Sequence, residues 1–469
     1  MATPDEAAPL LIVSADGHWG GPPSMYRDYM DSEFRDDLDA LVEKDQAWRD
    51  GSLTQRRFSP DTLDLIDPDQ TVRSGGERGG WEVERRLAEM DRSGVAAEVL
   101  LPGHQETILP FFSQVSPPAP PAHRAAGAKA YHRQLADAIA ASRSRLVGVA
   151  DAGPCHDMDE AVRELEWVAA HGFVGVSPPL NIADPELPPL VDPRYEPFWK
   201  TCAETGLALV VHAGYGFPQG LADGMAAMNA MAQSLGTEEM LRMSTLSAPE
   251  MSAMRIDQFP ADHPFRTALV QPRRIFWQLM LSGAFDRHPD LKVVFTEIRA
   301  DWVPATLTVL DSYFSDGHQP LTMSPREYWD RHVYIAPSST RRHEVEIRHE
   351  VGLERFMFGT DYPHPEGTWP NTLDWIRDAF SEVPVSEARL LLGLNAIACY
   401  GLDASALEPV AARIGPRPED VLGQHVVDER LRAQFHDRSG YLRPAEQVTV
   451  ESYADMIRAD EAALAASGA

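Results

Sequence analysis

The feature that most restricts the fold of this chain is a repeated alternation. Short apolar runs, each closed by Gly, Pro or a polar residue, are separated by segments of helical period. The runs are Leu10–Ala15, Ala97–Leu101, Leu146–Ala150, Val174–Ser177, Ala208–His212, Val293–Thr296, Val333–Ala336 and Phe356–Gly359. Near-continuous apolarity over so few residues suits a strand buried on both faces, as in a parallel sheet covered by helices. The helical patterns include Glu82–Ser93, Ala125–Ser142, Met158–His171, Tyr195–Thr205, Arg274–Phe285 and Leu373–Phe380. Gly94, Gly172 and Gly206 follow three of them, where C-terminal caps belong. Parallel neighbours need a crossover, so strand–helix repetition predicts an α/β fold with a parallel sheet. An open doubly wound sheet is the alternative. Eight runs, and the placement of the polar residues below, favour a distorted (β/α)8 TIM barrel.

Three stretches depart from the repeat. Residues 20–80 form a long insertion after the first strand, rich in Pro, Gly and Asp. Residues 217–265 form another after the fifth and hold seven of the chain's 16 methionines. Methionine suits adaptable apolar surfaces, so this segment is expected to be a helical cap or an oligomer contact, with a plain packed excursion as the alternative. From about 405 to 469 the rhythm is lost. The expected organisation is a barrel over 1–404 and a C-terminal helical extension over 405–469, in which Ser452–Ala466 could reach a partner subunit.

The chemistry-bearing residues fall at the ends of the runs. Asp16 and His18 are two apart where the first run closes, and alternate residues of a strand share a face. In a parallel barrel that face opens on the C-terminal mouth, where active sites lie. His212 closes the fifth run, Glu297 the sixth and Asp361 the eighth. Alone, each has a bland reading: a chance triplet, a core histidine, a helix N-cap. Together they gather carboxylates and imidazoles at one rim, as a divalent-metal site requires. Closing a barrel also makes the first and eighth strands neighbours, which brings Asp16 to Asp361.

The stretches Ser14–Pro23, Leu87–Val95, Leu209–Gly214, Ser282–Glu297, Phe358–His364, Leu394–Ala396 and Tyr400–Leu402 occur in an order that resembles the amidohydrolase superfamily. The resemblance is to its amidohydrolase-related branch, which includes aminocarboxymuconate semialdehyde decarboxylase and hydroxybenzoate decarboxylases. It spans about residues 10–402 and implies one divalent ion held by Asp16, His18, His212 and Asp361. Three departures stand out: Asp16 where the family usually has His or Glu, Gly21 where many long members have an acidic residue, and Glu297 where the decarboxylases carry His.

A bound ion lowers the pKa of its water or polarises a carbonyl oxygen. Asp361 is the expected general acid and base, with Glu297 and His212 in catalytic support. Arg299, Arg341 and Arg342 are candidates to clamp a substrate carboxylate, although an ion pair is the more ordinary fate of each. His364 could assist at the mouth, and Trp19 could stack a conjugated substrate. Zinc is the first expectation for the metal, with manganese or iron as alternatives, and no organic cofactor is expected. Three functions follow. The first is nonoxidative decarboxylation of a small carboxylated aromatic or conjugated acid. The second is hydrolysis of an amide, ester, lactone or activated C–C bond, toward which Glu297 points. The third is a metal-free binding or assembly subunit.

Composition removes other classes. With 42 basic and 71 acidic residues the net charge is −29, which argues against nucleic acid and anionic membranes as partners. The four lysines, Lys44, Lys129, Lys200 and Lys292, lie away from the expected mouth, which disfavours Schiff-base chemistry. Three scattered cysteines and a start without a basic stretch suit a cytoplasmic protein, and a homodimer is expected. Neither a G-x-S-x-G elbow nor a phosphate-binding G-x-x-x-x-G-K-[ST] loop occurs.

Overall fold

A computed structural model describes residues 7–51, 58–103, 107–112, 119–153, 155–179, 187–213, 270–315, 321–445 and 450–467. Seven strands form one all-parallel sheet in sequence order: β1 (Ile12–Trp19), β2 (Val95–Pro102), β3 (Leu146–Ala150), β4 (Phe173–Val176), β5 (Ala208–His212), β6 (Val293–Thr296) and β7 (Val333–Ala336). Helices Pro121–Ala141, Met158–Ala169 and Glu196–Thr205 make three of the crossovers. The helix Val83–Ser93 ends on Gly94 and Glu196–Thr205 on Gly206, both at positive φ as C-terminal caps. The insertion after β1 is folded, with helices Arg35–Gly51 and Pro60–Ile66. The insertion expected at 217–265 lies outside the described residues.

The eighth run is not a regular strand, although it does the work of one. Segment 355–362 makes isolated bridges from Phe356 to Ile335, Gly359 to Ser338 and Tyr362 to Gly17. On one side Met357 N donates to Ile335 O (2.8 Å). On the other, Ala15 N donates to Phe358 O (2.8 Å), Asp361 N to Asp16 O (2.9 Å) and His18 N to Tyr362 O (2.7 Å). The two edge strands are thereby joined and the ring of hydrogen-bonded segments is complete. The ladder is interrupted because β1 itself shifts register between Ser14 and Gly17, so a straight partner cannot follow it.

Alternate strand residues fill the inside of the curl, among them Val13, Ala15, Val99, Val149, Val210 and Val294. The intervening residues, such as Leu100, Leu209, Val211 and Phe295, pack outward in the larger core. Ala396, Cys399 and Tyr400 join the inner cluster, and Lys292 Nζ, at the start of β6, donates to Cys399 O (2.7 Å). That end of the cylinder is therefore plugged, which leaves the C-terminal rim for chemistry.

The C-terminal region is helical, with Ala404–Ile414, Glu429–Ser439 and Val450–Ser467. The last helix, which covers the proposed partner arm, lies on its own chain. Buried Asp460 accepts hydrogen bonds from Arg274, Trp277 Nε1 and Gln278 Nε2. Among the described residues no helix is long and apolar enough to cross a membrane.

Candidate metal centre

The register shift in β1 decides which side chains reach the rim. Val13 and Ala15 belong to the inner cluster, so uninterrupted alternation would send Gly17 and Trp19 inward and Asp16 and His18 out under the helices. The shift between Ser14 and Gly17 reverses this. Asp16 and His18 face the centre. Trp19 turns outward, fully buried, with its indole N–H on Gln134 Oε1 (2.8 Å) of helix Pro121–Ala141. Stacking of Trp19 on a substrate does not fit that position. Gly17 permits the shift, since a Cβ there would lie 2.4 Å from Glu98 Oε1.

His212, two residues beyond the inward Val210, points to the same place. One ligand atom from each of Asp16, His18 and His212 lies within 4.8 Å of the other two. Asp361 joins through His18, with Oδ1 3.2 Å from Nε2. His364 stacks on the His18 ring at a centroid distance of 3.9 Å, and its Nδ1 is 2.9 Å from Asp361 Oδ1. Glu297 Oε2 is 2.9 Å from His212 Nε2. Glu297 and Asp361 both hold left-handed backbone, φ 59° and 58°, a conformation that costs a non-glycine residue about 1–3 kcal/mol and that the surrounding structure must enforce. Both are seated at strand ends, where this bend redirects their carboxylates.

A supporting layer fixes these side chains. Ser338 Oγ donates to Asp16 Oδ2. Ser14 Oγ donates to Asp16 O (2.6 Å), and Thr360 Oγ1 donates to Glu98 Oε1 (2.9 Å). Buried Arg86 pairs with Glu98 at 2.7 Å and donates from Nη1 to His18 O (2.9 Å). Gly359 is needed because a Cβ would come within 2.7 Å of Asp16 Cβ.

Burial pushes the Asp16 carboxyl well above the usual carboxylate range, with repulsion from Asp361 adding to it. Burial opposes charge on both His212 and Glu297. Their mutual attraction outweighs it, holding His212 above and Glu297 below their ordinary values. Asp16 Oδ1, fully buried, accepts no hydrogen bond among the described residues. Such an atom needs a positive partner, and two imidazoles with two carboxylates are a donor set for a divalent cation.

Of the residues singled out in sequence, Asp16, His18, His212, Glu297, Asp361 and His364 gather here. Arg299 does not join these groups. Its Nη2 donates to Asp301 Oδ2 (2.6 Å), two residues along the chain. Arg341 donates to the carbonyls of Ser439 and Gly440, and Arg342 to Asp378. Sequence reading misses Glu366, whose Oε1 is 4.0 Å from His364 Nδ1, and the Arg86–Glu98 pair. Glu98 left a signal, as a carboxylate in the middle of the apolar run Val95–Pro102.

Fold and rim define a parallel α/β barrel with imidazoles and carboxylates that could hold a metal ion gathered at the C-terminal ends of its strands. The chain belongs to the amidohydrolase family, whose model matches residues 58–402. It is similar to a gamma-resorcylate decarboxylase from Rhodococcus jostii, 26% identical over 284 residues, 57% of this chain and 74% of that protein. In fold it resembles a 5-carboxyvanillate decarboxylase from Sphingomonas paucimobilis, at 20% identity and TM-score 0.53, over 84% of this chain and 100% of that one. It also resembles a 5-carboxyvanillate decarboxylase from Novosphingobium aromaticivorans, at 16% identity and TM-score 0.55, over 84% and 97%. The latter was solved with manganese and 3-methoxy-4-hydroxy-5-nitrobenzoic acid. The ion in that neighbour is thus manganese, and zinc, the first expectation from sequence, has no support here.

Proposed function

We propose that this chain is a divalent-metal-dependent lyase that removes carbon dioxide, without oxidation, from a small carboxylated aromatic or conjugated acid. One observation carries the reading: Asp16, His18 and His212 converge with Asp361 beside them, in a family where the curated relative is a decarboxylase. Asp16, His18, His212 and Asp361 would hold the ion, which when bound polarises a substrate oxygen as a Lewis acid. The mixed set of two carboxylates and two imidazoles suits manganese or iron, and manganese is the preferred assignment.

Nonoxidative decarboxylation exchanges a carboxylate for a proton. The C–C bond breaks, its electron pair stays on the carbon and becomes a C–H bond, and neutral carbon dioxide leaves. The protein must therefore deliver one proton to one carbon. Asp361 is the group assigned to it, with His364 at 2.9 Å orienting its carboxyl and restoring the proton. The buried setting keeps bulk water from competing. Arg299 could clamp a substrate carboxylate only if its pair with Asp301 opened.

A second reading, hydrolysis, is favoured by the Glu297–His212 contact, because a carboxylate paired to a histidine at the rim suits activation of water. Both readings are tested by supplying hydroxylated benzoates and, separately, aryl esters and amides to the manganese-loaded protein in oxygen-18 water. Carbon dioxide release from a benzoate supports the lyase. Label incorporated into an ester or amide product, with no carbon dioxide from any acid, overturns it in favour of the hydrolase.

A further inference from the structure

We propose that the Nε/Nη2 edge of Arg438 binds one small monovalent anion, where helix Glu429–Ser439 meets the loop after segment 355–362. This site is separate from the residues that carry the proposed function and does not rest on that reading.

Arg86 and Arg438 are the two arginines among the largest fully buried side chains. Arg86 has a counterion, since its Nε donates to Glu98 Oε2. Arg438, 1% exposed, donates from Nη1 to Trp369 O (3.0 Å), and a neutral carbonyl does not balance its charge. Its Nε and Nη2 are buried and have no hydrogen-bond partner among the described residues. Burial lowers the guanidinium to about 10, and among the described residues no neighbouring charge contributes. At neutral pH it is therefore a full positive charge held out of water, which is costly without a partner.

The surroundings supply only part of the compensation. The rings of Phe435 and Trp375 have centroids 5.4 and 5.8 Å from the guanidinium carbon, near the outer limit of about 6 Å for attraction by a ring face. Tyr441 packs on both rings and leads to a buried carboxylate, Asp378. That carboxylate is already taken by Arg342, Arg432 and the Tyr441 hydroxyl.

The Nε–H and Nη2–H bonds of a guanidinium are parallel and form a fork that suits one anion. Elsewhere the chain uses this same edge on carboxylates. Arg274 sets Nε and Nη2 on Asp460 at 3.1 and 2.7 Å, and Arg287 sets them on Glu196 at 3.0 and 2.7 Å. The fork of Arg438 has the same chemistry and no protein carboxylate among the described residues. Enclosure restricts its ligand to a halide or a small planar oxyanion, and the single charge selects a monovalent one. A bound anion also strengthens the join between helix Glu429–Ser439 and the loop, so it favours the folded state as the site fills.

The test is anion-dependent stability of the full chain. The protein is dialysed into sodium gluconate, and chloride or formate replaces gluconate at fixed ionic strength while thermal unfolding is followed by circular dichroism. A saturable rise in Tm of about 2 °C or more is expected. A rise with chloride alone identifies a halide site, with formate alone an oxyanion site, and with both a site for either; each supports the proposal. Arg438→Met should show no saturable rise with either anion. Arg438→Lys, which keeps the charge and loses the fork, should respond more weakly than the parent. Crystals soaked in sodium bromide, or in formate if chloride is without effect, should show the anion beside Nε and Nη2. Equal responses in the parent and Arg438→Met overturn the proposal. If that variant does not fold, the absence of an anion at the fork in the soaked parent crystals overturns it.

Discussion

Replacing Arg86 with methionine should destabilise the protein by about 3–5 kcal/mol, the usual cost of removing one partner of a buried ion pair. Arg86 is fully buried and Glu98 is 1% exposed. Nε donates to Glu98 Oε2 at 2.7 Å, Nη1 to His18 O at 2.9 Å and to Gly79 O at 3.3 Å, and the guanidinium lies 4.4 Å from the Tyr362 ring centroid. Methionine fills much of the volume, so packing loss is the smaller part and the stranded Glu98 carboxylate the larger. Protonation limits that cost. Burial already holds Glu98 above its ordinary value, with Arg86 as the chief counterweight. In the variant the folded-state value rises further above the unfolded one. The protonated carboxyl is tolerated, so the extra loss of stability is small at low pH and grows as pH rises through the raised folded value. Urea unfolding of the manganese-loaded protein, followed by tryptophan fluorescence at about pH 5.5 and about pH 8, should give the larger deficit at the higher pH. Adding Glu98→Gln to the variant should recover about 2 kcal/mol at the higher pH, since no charge is then stranded. A deficit under about 0.5 kcal/mol, or no recovery in the double variant, would refute the reasoning.

Asp361→Asn should lower turnover by at least about 10²-fold, the scale of a lost general acid, while circular dichroism stays at the parent level; full activity would place the proton donor elsewhere. His212→Ala should sharply reduce bound manganese by elemental analysis. Gly359→Ala should cost about 1–3 kcal/mol through overpacking and weaken manganese binding, because the new methyl meets Asp16, and a variant that binds as the parent does would contradict that contact. Protons compete with the ion for Asp16, whose folded carboxyl is raised. Manganese should therefore be lost on acidification at pH values above the ordinary aspartate range of about 4, as measured by equilibrium dialysis. In the chelated protein the sign is opposite: a raised folded value favours the protonated form, so stability contributed by Asp16 is lost as pH rises through it.

Much of this centre is legible in sequence because parallel strands end in register. A polar residue closing an apolar run, as His212 and Asp361 do, must emerge at the rim. The placement of Asp16 and His18 is legible for an incomplete reason. Period-two alternation makes them face the same way, but which way is settled by a register shift that also sends Trp19 outward. The eighth strand is legible as a segment yet not as a regular ladder, since the irregularity lies in its partner. Arg299 lies two residues beyond Glu297, but Asp301, a further two residues on, captures its guanidinium. Glu366 escapes notice because Pro363 and Pro365 make its neighbourhood read as a rigid turn. Ser338 cannot be found at all, for its role depends on a contact with Asp16 across 322 residues.

The sealing of β1 to segment 355–362 has a consequence for how the protein is made. Asp16 emerges from the ribosome early and waits for Asp361, more than three hundred residues later, before the proposed cation cradle is whole. A prematurely terminated chain can own most of the cylinder and still be chemically silent, so catalytic competence arrives only with the final quarter of synthesis.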